Sequence, residues 1–385
     1  MLPAMTPTGS DIAALTALRH SLHRHPEVSG AEAGTASRVA AELAEQAPDR
    51  LLTGIGGHGV AAIYDGTAPG PTVLFRCELD ALPIAETGGA PHRSTVPGVA
   101  HLCGHDGHMA ILLGLARQLA RNRPSSGRAV VLFQPAEETG AGAAAVVDDP
   151  QFDAIAPDYA FAIHNLPGLP EGHVSLIPGP VACASRGMEI TLAGRAAHAS
   201  QPETGISPMA ALAGVMPALT ALGHGRIPDP DFALATITHA RMGAPAFGIA
   251  PGEAVLHATL RTLTDDRMAA LVAAAEALVE KAAAERLGHR IAWHDVFPHS
   301  ANDAEATRIA ARALDRLGMA HDGRGLPMRP SEDFGRFGRS ARAAMLFLGA
   351  GRDHPALHDP GYDFPDALIV PGVRIFDRIA RDLLG

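Results

Sequence analysis

At roughly 150 residues per domain, a chain of 385 residues is long enough for two or three folding units. Its net charge of -10 excludes a surface broadly drawn to phosphate backbones or anionic lipid, and 47% hydrophobic against 19% charged residues excludes a disordered chain. Three cysteines, Cys77, Cys103 and Cys183, make no disulfide framework; with no signal-like start in MLPAMTPTGS and no apolar run of about 18 residues, a cytoplasmic protein that binds neither nucleic acid nor membrane is expected.

The elements follow in chain order. Asp11 reads as the N-cap of an opening helix with Leu15, Leu18 and Leu22 on one face, and a second helix spans about 33 to 46. Apolar strands at 72 to 79, 129 to 133 and 159 to 164 then alternate with a helix at 108 to 121. Strands this continuously apolar suit a mostly parallel sheet covered on both faces, an α/β domain. From Gly187 the order becomes strand (188 to 194), helix (208 to 222), strand (232 to 240), strand (254 to 263), helix (266 to 287) and strand (289 to 296). That is the β-α-β-β-α-β order of a ferredoxin-like unit. Helix 304 to 317, strand 343 to 349 and a last helix from about 365 to 384 return to the first pattern. The chain therefore reads as a discontinuous catalytic domain, 1 to 183 with 297 to 385, interrupted by an inserted domain at 184 to 296.

Four segments carry chemistry. In L-C-G-H-D-G-H at 102 to 108, Cys103 and His105 stand two apart around Gly104 in a turn, where a thiolate and an imidazole can converge on a borderline-soft divalent metal. A buried cysteine beside a helix-capping His-Asp pair fits the same fragment, as does a thiol nucleophile with a histidine base, although no oxyanion site accompanies the latter. In F-Q-P-A-E-E at 133 to 138, Glu137 and Glu138 follow a strand directly, at the end where open α/β sheets place ligands. Adjacent carboxylates there are either solvated or bound to a cation, with one as ligand and its neighbour left to handle protons. His164 ends the strand YAFAIH, and either His354 or His358, in the segment 348 to 364, can complete the group.

These motifs resemble the amidohydrolase branch of the M20 metallopeptidases, which includes aminoacylases, hippurate hydrolases and auxin-conjugate hydrolases. The matching segments are H-R-H-P-E at 23 to 27, R-C-E-L-D-A-L-P-I at 76 to 84, H-L-C-G-H-D-G-H at 101 to 108, F-Q-P-A-E-E, G-R-A-A-H-A-S at 194 to 200, S-E-D-F at 331 to 334 and L-H-D-P-G-Y-D-F at 357 to 364. The resemblance implies two divalent metal ions (Zn, Mn or Co) held by Cys103, His105, Glu138, His164 and His358, with Glu137 as general base. It prefers His358 to His354. It makes the inserted domain a lid and dimerisation domain, gives a homodimer in which His198 stabilises the reacting carbonyl in the partner's site, and puts Arg261 on the substrate carboxylate. Asp80 would orient a ligand, although a strand-end Asp closing a turn is an equal reading. Glu78 stands where the branch has Asp, and its extra methylene is expected to shift a contact behind the ligands.

The implied reaction is hydrolysis of an N-acyl amino acid, or a similar small amide, by a metal-activated water with Glu137 taking the proton. A dipeptidase on the same site, a non-catalytic metal-binding or regulatory protein, and a metal-free Cys-His hydrolase are the competing readings.

Overall fold

The computed structural model describes residues 6 to 284 and 286 to 385. In chain order the first elements are α1 (Gly9–Arg24), α2 (Ala33–Ala44), β1 (Arg50–Ile55), β2 (Gly59–Asp65), β3 (Ala68–Glu78), α3 (His105–Arg121), β4 (Ser126–Gln134), α4 (Gly142–Asp148), β5 (Tyr159–Leu166), β6 (Val174–Ser175) and β7 (Gly179–Ala182). Then come β8 (Ala184–Ala193), β9 (Ala197–His198), α5 (Met209–Thr220), β10 (Ala233–Met242), β11 (Ile249–Ala250), β12 (Glu253–Thr262), α6 (Asp265–Ala283) and β13 (Gly288–Phe297). The chain ends with β14 (Ser300–Asn302), α7 (Ala304–Leu317), β15 (His321–Asp322), β16 (Arg342–Gly349) and α8 (Ile369–Leu384).

Two compact units result. One takes the chain through Val181 together with Ala301–Leu326 and Asp333–Gly385; the other takes Ala182–Ser300 and the short return Pro327–Glu332. The first unit holds an eight-stranded sheet, among the described residues, in the order β1-β2-β4-β3-β5-β16-β6-β15. Its centre is parallel, with β3 beside β4 and β5, and β5 beside β16. Alternate strand residues such as Val73, Phe75 and Cys77 join a core with α3 and α8, while Leu74, Val130 and Ala160, facing the other way, are equally buried. Both faces are thus covered, which is why these strands show no polar alternation. In the second unit β8, β10, β12 and β13 form an antiparallel sheet in the order β10-β12-β8-β13, and α5 and α6 pack on one face through Leu212, Val215, Leu271 and Val279. That is the ferredoxin-like order.

Besides α4 and several two- to four-residue strands that the sequence reading did not include, two departures stand out. Thr8, not Asp11, caps α1: the Thr8 hydroxyl accepts from the Asp11 N–H, and the Asp11 carboxylate accepts from the Thr8 N–H at 2.9 Å, a reciprocal capping box. The antiparallel pair β1 and β2, joined through the glycine-rich G-G-H-G, has no counterpart in the sequence reading, although V-A-A-I-Y at 60 to 64 is an apolar run as long as A-V-V-L-F at 129 to 133. Among the described residues no helix is long and apolar enough to cross a membrane.

Candidate metal centre

The C-terminal ends of β3, β4 and β5 and the segment after β16 lie along one rim of the first unit's sheet. Cys103 precedes α3, and His105 is its first residue, so the ligand-type pair straddles a helix start and not the extended turn expected from its spacing. Gly104 between them has φ +90°, and a Cβ there would lie 2.2 Å from Asn165 Nδ2, so only glycine allows this bend. His358, at φ +67°, is also left-handed, and its N–H donates to the Leu102 carbonyl at 2.8 Å, stitching the C-terminal segment to the Cys103 loop. Backbone held in this region stores strain of about 1–3 kcal/mol, which such sites tend to accumulate.

The side chains converge. Cys103 Sγ lies 3.5 Å from His164 Nε2. His105 Nε2 lies 3.8 Å from Glu137 Oε2 and 3.9 Å from Glu138 Oε1, and His358 Nε2 lies 3.5 Å from Glu138 Oε2. Among the groups of donor atoms that could hold a metal ion are Cys103, His105 and His164; Cys103, Glu138 and His358; and His105, Glu137 and Glu138, with Glu78, His105 and His108 forming a further group behind them. His105 Nε2 is fully buried without a hydrogen-bond partner, an arrangement that is costly unless a ligand completes it. Burial opposes a charge on His105, yet Asp80, Glu78 and Glu138 outweigh it and push its pKa up to about 10. The carboxylates favour a cation at this point, a place that a divalent metal could take from the proton. His164 behaves oppositely: burial, with His108 adding to it, pulls its pKa down to about 3, leaving the neutral form that binds metals. His354 is engaged elsewhere, its Nε2–H donating to the Asp363 carbonyl at 2.8 Å.

Behind these donors runs a buried chain of hydrogen bonds. Asp80 holds three of them: its carbonyl accepts from His105 Nδ1 at 2.8 Å, and its carboxylate accepts from the Glu138 N–H at 2.9 Å and the Ser29 hydroxyl at 2.7 Å. His164 Nδ1 donates to the Asn165 carbonyl at 2.7 Å, which turns its Nε2 toward Cys103. Asn165 in turn donates from Nδ2 to the Cys103 carbonyl at 2.7 Å, accepts from the Tyr362 hydroxyl, and donates its backbone N–H to His108 Nε2 at 3.0 Å. His108 Nδ1 donates to Glu78 at 2.7 Å, and Glu78 is paired with Arg76, which also meets Asp333. Burial alone would raise the Glu78 pKa, but Arg76 and His108 hold it well below the usual carboxylate range. The sequence reading had no part for Arg76, His108, Asn165 or Tyr362, although all but Asn165 stand inside motifs it quoted.

His198 and Arg261 belong to the second unit. His198 lies on β9, exposed, with Nδ1 accepting from the Ser200 N–H at 3.1 Å. Arg261, on β12, donates from Nη1 to the Arg329 carbonyl at 3.1 Å and to the Ser331 hydroxyl at 2.9 Å.

Residues 74–382 match the family model described as peptidase family M20/M25/M40. The chain belongs to this family. Among curated relatives of this M20 chain, N-acetyl-L-cysteine deacetylase of Bacillus subtilis is 31% identical over 96% of this chain and 88% of its own. Hippurate hydrolase of Campylobacter jejuni is 30% identical over 95% of this chain and 96% of its own. A crystal structure of a dinuclear metal-binding M20 peptidase from B. subtilis superposes with a TM-score of 0.82 at 26% identity, covering 98% and 99% of the two chains. The M20 chain is accordingly a hydrolase of the amidohydrolase branch, acting on amide C–N bonds other than peptide bonds in small molecules, with divalent metal cofactors.

Proposed function

We propose that this M20 enzyme hydrolyses N-acyl amino acids to a carboxylic acid and an amino acid, at two divalent metal ions (Zn, Mn or Co) held by Cys103, His105, Glu138, His164 and His358. The observation that carries the proposal is the buried His105 Nε2, without a hydrogen-bond partner and facing two adjacent carboxylates. Bound metals supply Lewis acidity, which lowers the pKa of water from 15.7 to about 7 and polarises the scissile carbonyl.

The two carboxylates divide the work. Glu138 touches both halves of the cluster, meeting His105 on one side and Cys103 with His358 on the other, and its backbone is pinned by Asp80; that position suits a ligand. Glu137 falls in neither group that contains Cys103. It takes a proton from the attacking water and returns it to the departing nitrogen, a role worth about 10² to 10⁴ in rate. Arg261 pairs with the substrate carboxylate, which both the N-acetylcysteine and hippurate named for the relatives possess. His198 donates to the developing oxyanion in the partner's site of a cytoplasmic homodimer, an assignment supported by its exposed place on β9 and by the family resemblance.

Glu137→Gln tests the reading. It should retain full metal content while turnover of N-acetyl and N-benzoyl amino acids falls at least 100-fold. Near-normal turnover, or metal lost with activity, would overturn the assignment. Faster hydrolysis of dipeptides than of any N-acyl amino acid in the native enzyme would favour the dipeptidase. For the dimer, mixing Glu137→Gln with His198→Ala subunits should restore part of the activity, and no recovery after demonstrated exchange would exclude action across subunits.

A further inference from the structure

The second unit carries a row of side chains that the proposed reaction does not use. Helices α5 and α6 cover one face of its sheet; the other bears His239 on β10, His257 on β12, Glu189 on β8 and His294 on β13. The register makes them neighbours. His239 pairs with His257 and His257 with Glu189, while Glu189 pairs with Ala292, two residues from His294 on the same face. Glu189 Oε2 lies 3.7 Å from His257 Nε2 and 3.7 Å from His294 Nε2, so one carboxylate oxygen is flanked by two imidazoles. Arg290 takes the other oxygen, Oε1, at 3.2 Å and thereby turns Oε2 toward the histidines. The His239 ring lies against that of His257, with centroids 5.2 Å apart.

Two backbone irregularities aim this row. The β8 and β13 ladder breaks between His294 and Phe297, and Asp295 within the break has φ +47°, an uncommon and costly conformation for a residue with a side chain. The β10 and β12 ladder breaks between Ile237 and His239, directly before the residue placed opposite His257. Bulges redirect side chains and concentrate beside functional sites. Around the row lies a groove of about 360 Å³ that Glu189, His257, His294, Thr238, Thr259 and Asp295 help to line.

We infer that Glu189, His257 and His294 form a second cation site, on the open face of this sheet, for a divalent transition metal that favours imidazole, such as zinc or nickel. Adjacent donors around a four-coordinate ion at about 2.1 Å stand roughly 3.4 Å apart, and both Glu-His spacings lie within a few tenths of an ångström of that. Closure requires the two imidazoles, both about half-exposed and with donor atoms not yet within 4.8 Å of each other, to rotate toward one another beside Oε2. Two nitrogens and one oxygen discriminate against magnesium and calcium, which take oxygen ligands. The remaining coordination positions open onto the groove. Such an ion ties β12, β8 and β13 together.

Equilibrium dialysis of tag-free enzyme, first loaded with its catalytic metals, against micromolar zinc or nickel tests this site. The native protein should bind one further equivalent per chain, the H257A/H294A double variant should lose that equivalent, and Glu189→Gln should weaken it at least tenfold. Activity and the catalytic metal content of all three proteins should agree, which separates failure of this site from failure of the catalytic reading. Equal uptake by native and double-variant protein would overturn the inference and leave the row as a surface ion-pair cluster. If the double variant does not fold, nickel broadening of histidine ring resonances in the native protein decides: selective loss of the His257 and His294 signals supports the site, and uniform or absent broadening refutes it.

Discussion

Shortening Glu78 by one methylene tests how the metal centre is held. Glu78→Asp draws the carboxylate back by about 1.5 Å, one C–C bond, so the 2.7 Å contact to His108 Nδ1 opens to roughly 4 Å, beyond hydrogen-bonding reach. The consequence propagates in order. His108 loses the acceptor that fixes its ring, its Nε2 no longer holds the Asn165 N–H, and the Asn165 carbonyl that orients His164 becomes free to drift. Losing a buried hydrogen bond to a charged group costs about 1.5–3 kcal/mol, and loss of an outer partner of a metal-bound histidine typically costs about 10–100-fold in metal affinity. Those two figures agree, since a tenfold change corresponds to about 1.4 kcal/mol. Competition titration against a chromophoric chelator should therefore show metal binding 10–100-fold weaker in Glu78→Asp, with kcat/KM reduced alongside. Glu78→Gln, which keeps the reach and can still accept from His108, should fall between the variant and native protein. Metal affinity within twofold of native in Glu78→Asp would refute the chain of support from Arg76 to His164.

Other perturbations read other parts of the network. Cys103→Ser should lose metal and activity together, because a neutral hydroxyl is a far poorer ligand than a thiolate; retained metal with abolished activity in metal analysis and kinetics would revive the thiol nucleophile. Arg19 is buried and meets Asp106 at 3.3 Å, Asp363 at 2.5 Å and Asp366 at 2.9 Å, so Arg19→Met leaves buried charge uncompensated and should cost about 3–5 kcal/mol, seen as a lower urea midpoint for the first unit. In metal-free protein the raised His105 pKa contributes stability that is complete below about 6.5 and is lost as pH rises through about 10. Thermal unfolding of the apo-protein should accordingly drop between pH 7 and 10, and metal-loaded protein should not show this loss, because the metal takes the proton's place. An apo-protein that grows more stable over that range would contradict the sign.

What the sequence disclosed follows from which interactions are local. The parallel strands were readable because both faces are buried, so Val73 to Phe75 and Ala129 to Phe133 form uninterrupted apolar runs. The residues of the candidate metal centre were nameable because strand ends and a helix start put chemistry beside such runs: Glu137 and Glu138 after β4, His164 near the end of β5, Cys103 and His105 at the head of α3. The β1 and β2 pair went unread although Val60 to Tyr64 is an equally continuous buried apolar run; its partner β1, largely exposed or half-buried and broken by Thr53 and Gly54, shows no run to pair with it.

The supporting residues were illegible for a different reason. Nothing near Asn165 in sequence says that its side chain will cross to the Cys103 carbonyl, 62 residues away, or that Tyr362, 197 residues on, will donate to it. Only the folded sheet brings β5, the start of α3 and the C-terminal segment to one point. The signals that remain are indirect. Gly104 and Gly107 bracket His105, and a Cβ at Gly107 would strike the Phe364 ring at 2.3 Å. The helix that presents His105 is therefore packed against the segment that presents His358 so closely that a side chain between them is excluded. Spacing in L-C-G-H-D-G-H thus encodes two things at once: ligand-type atoms on one side of the helix start, and bare backbone on the other to admit the last donor's loop.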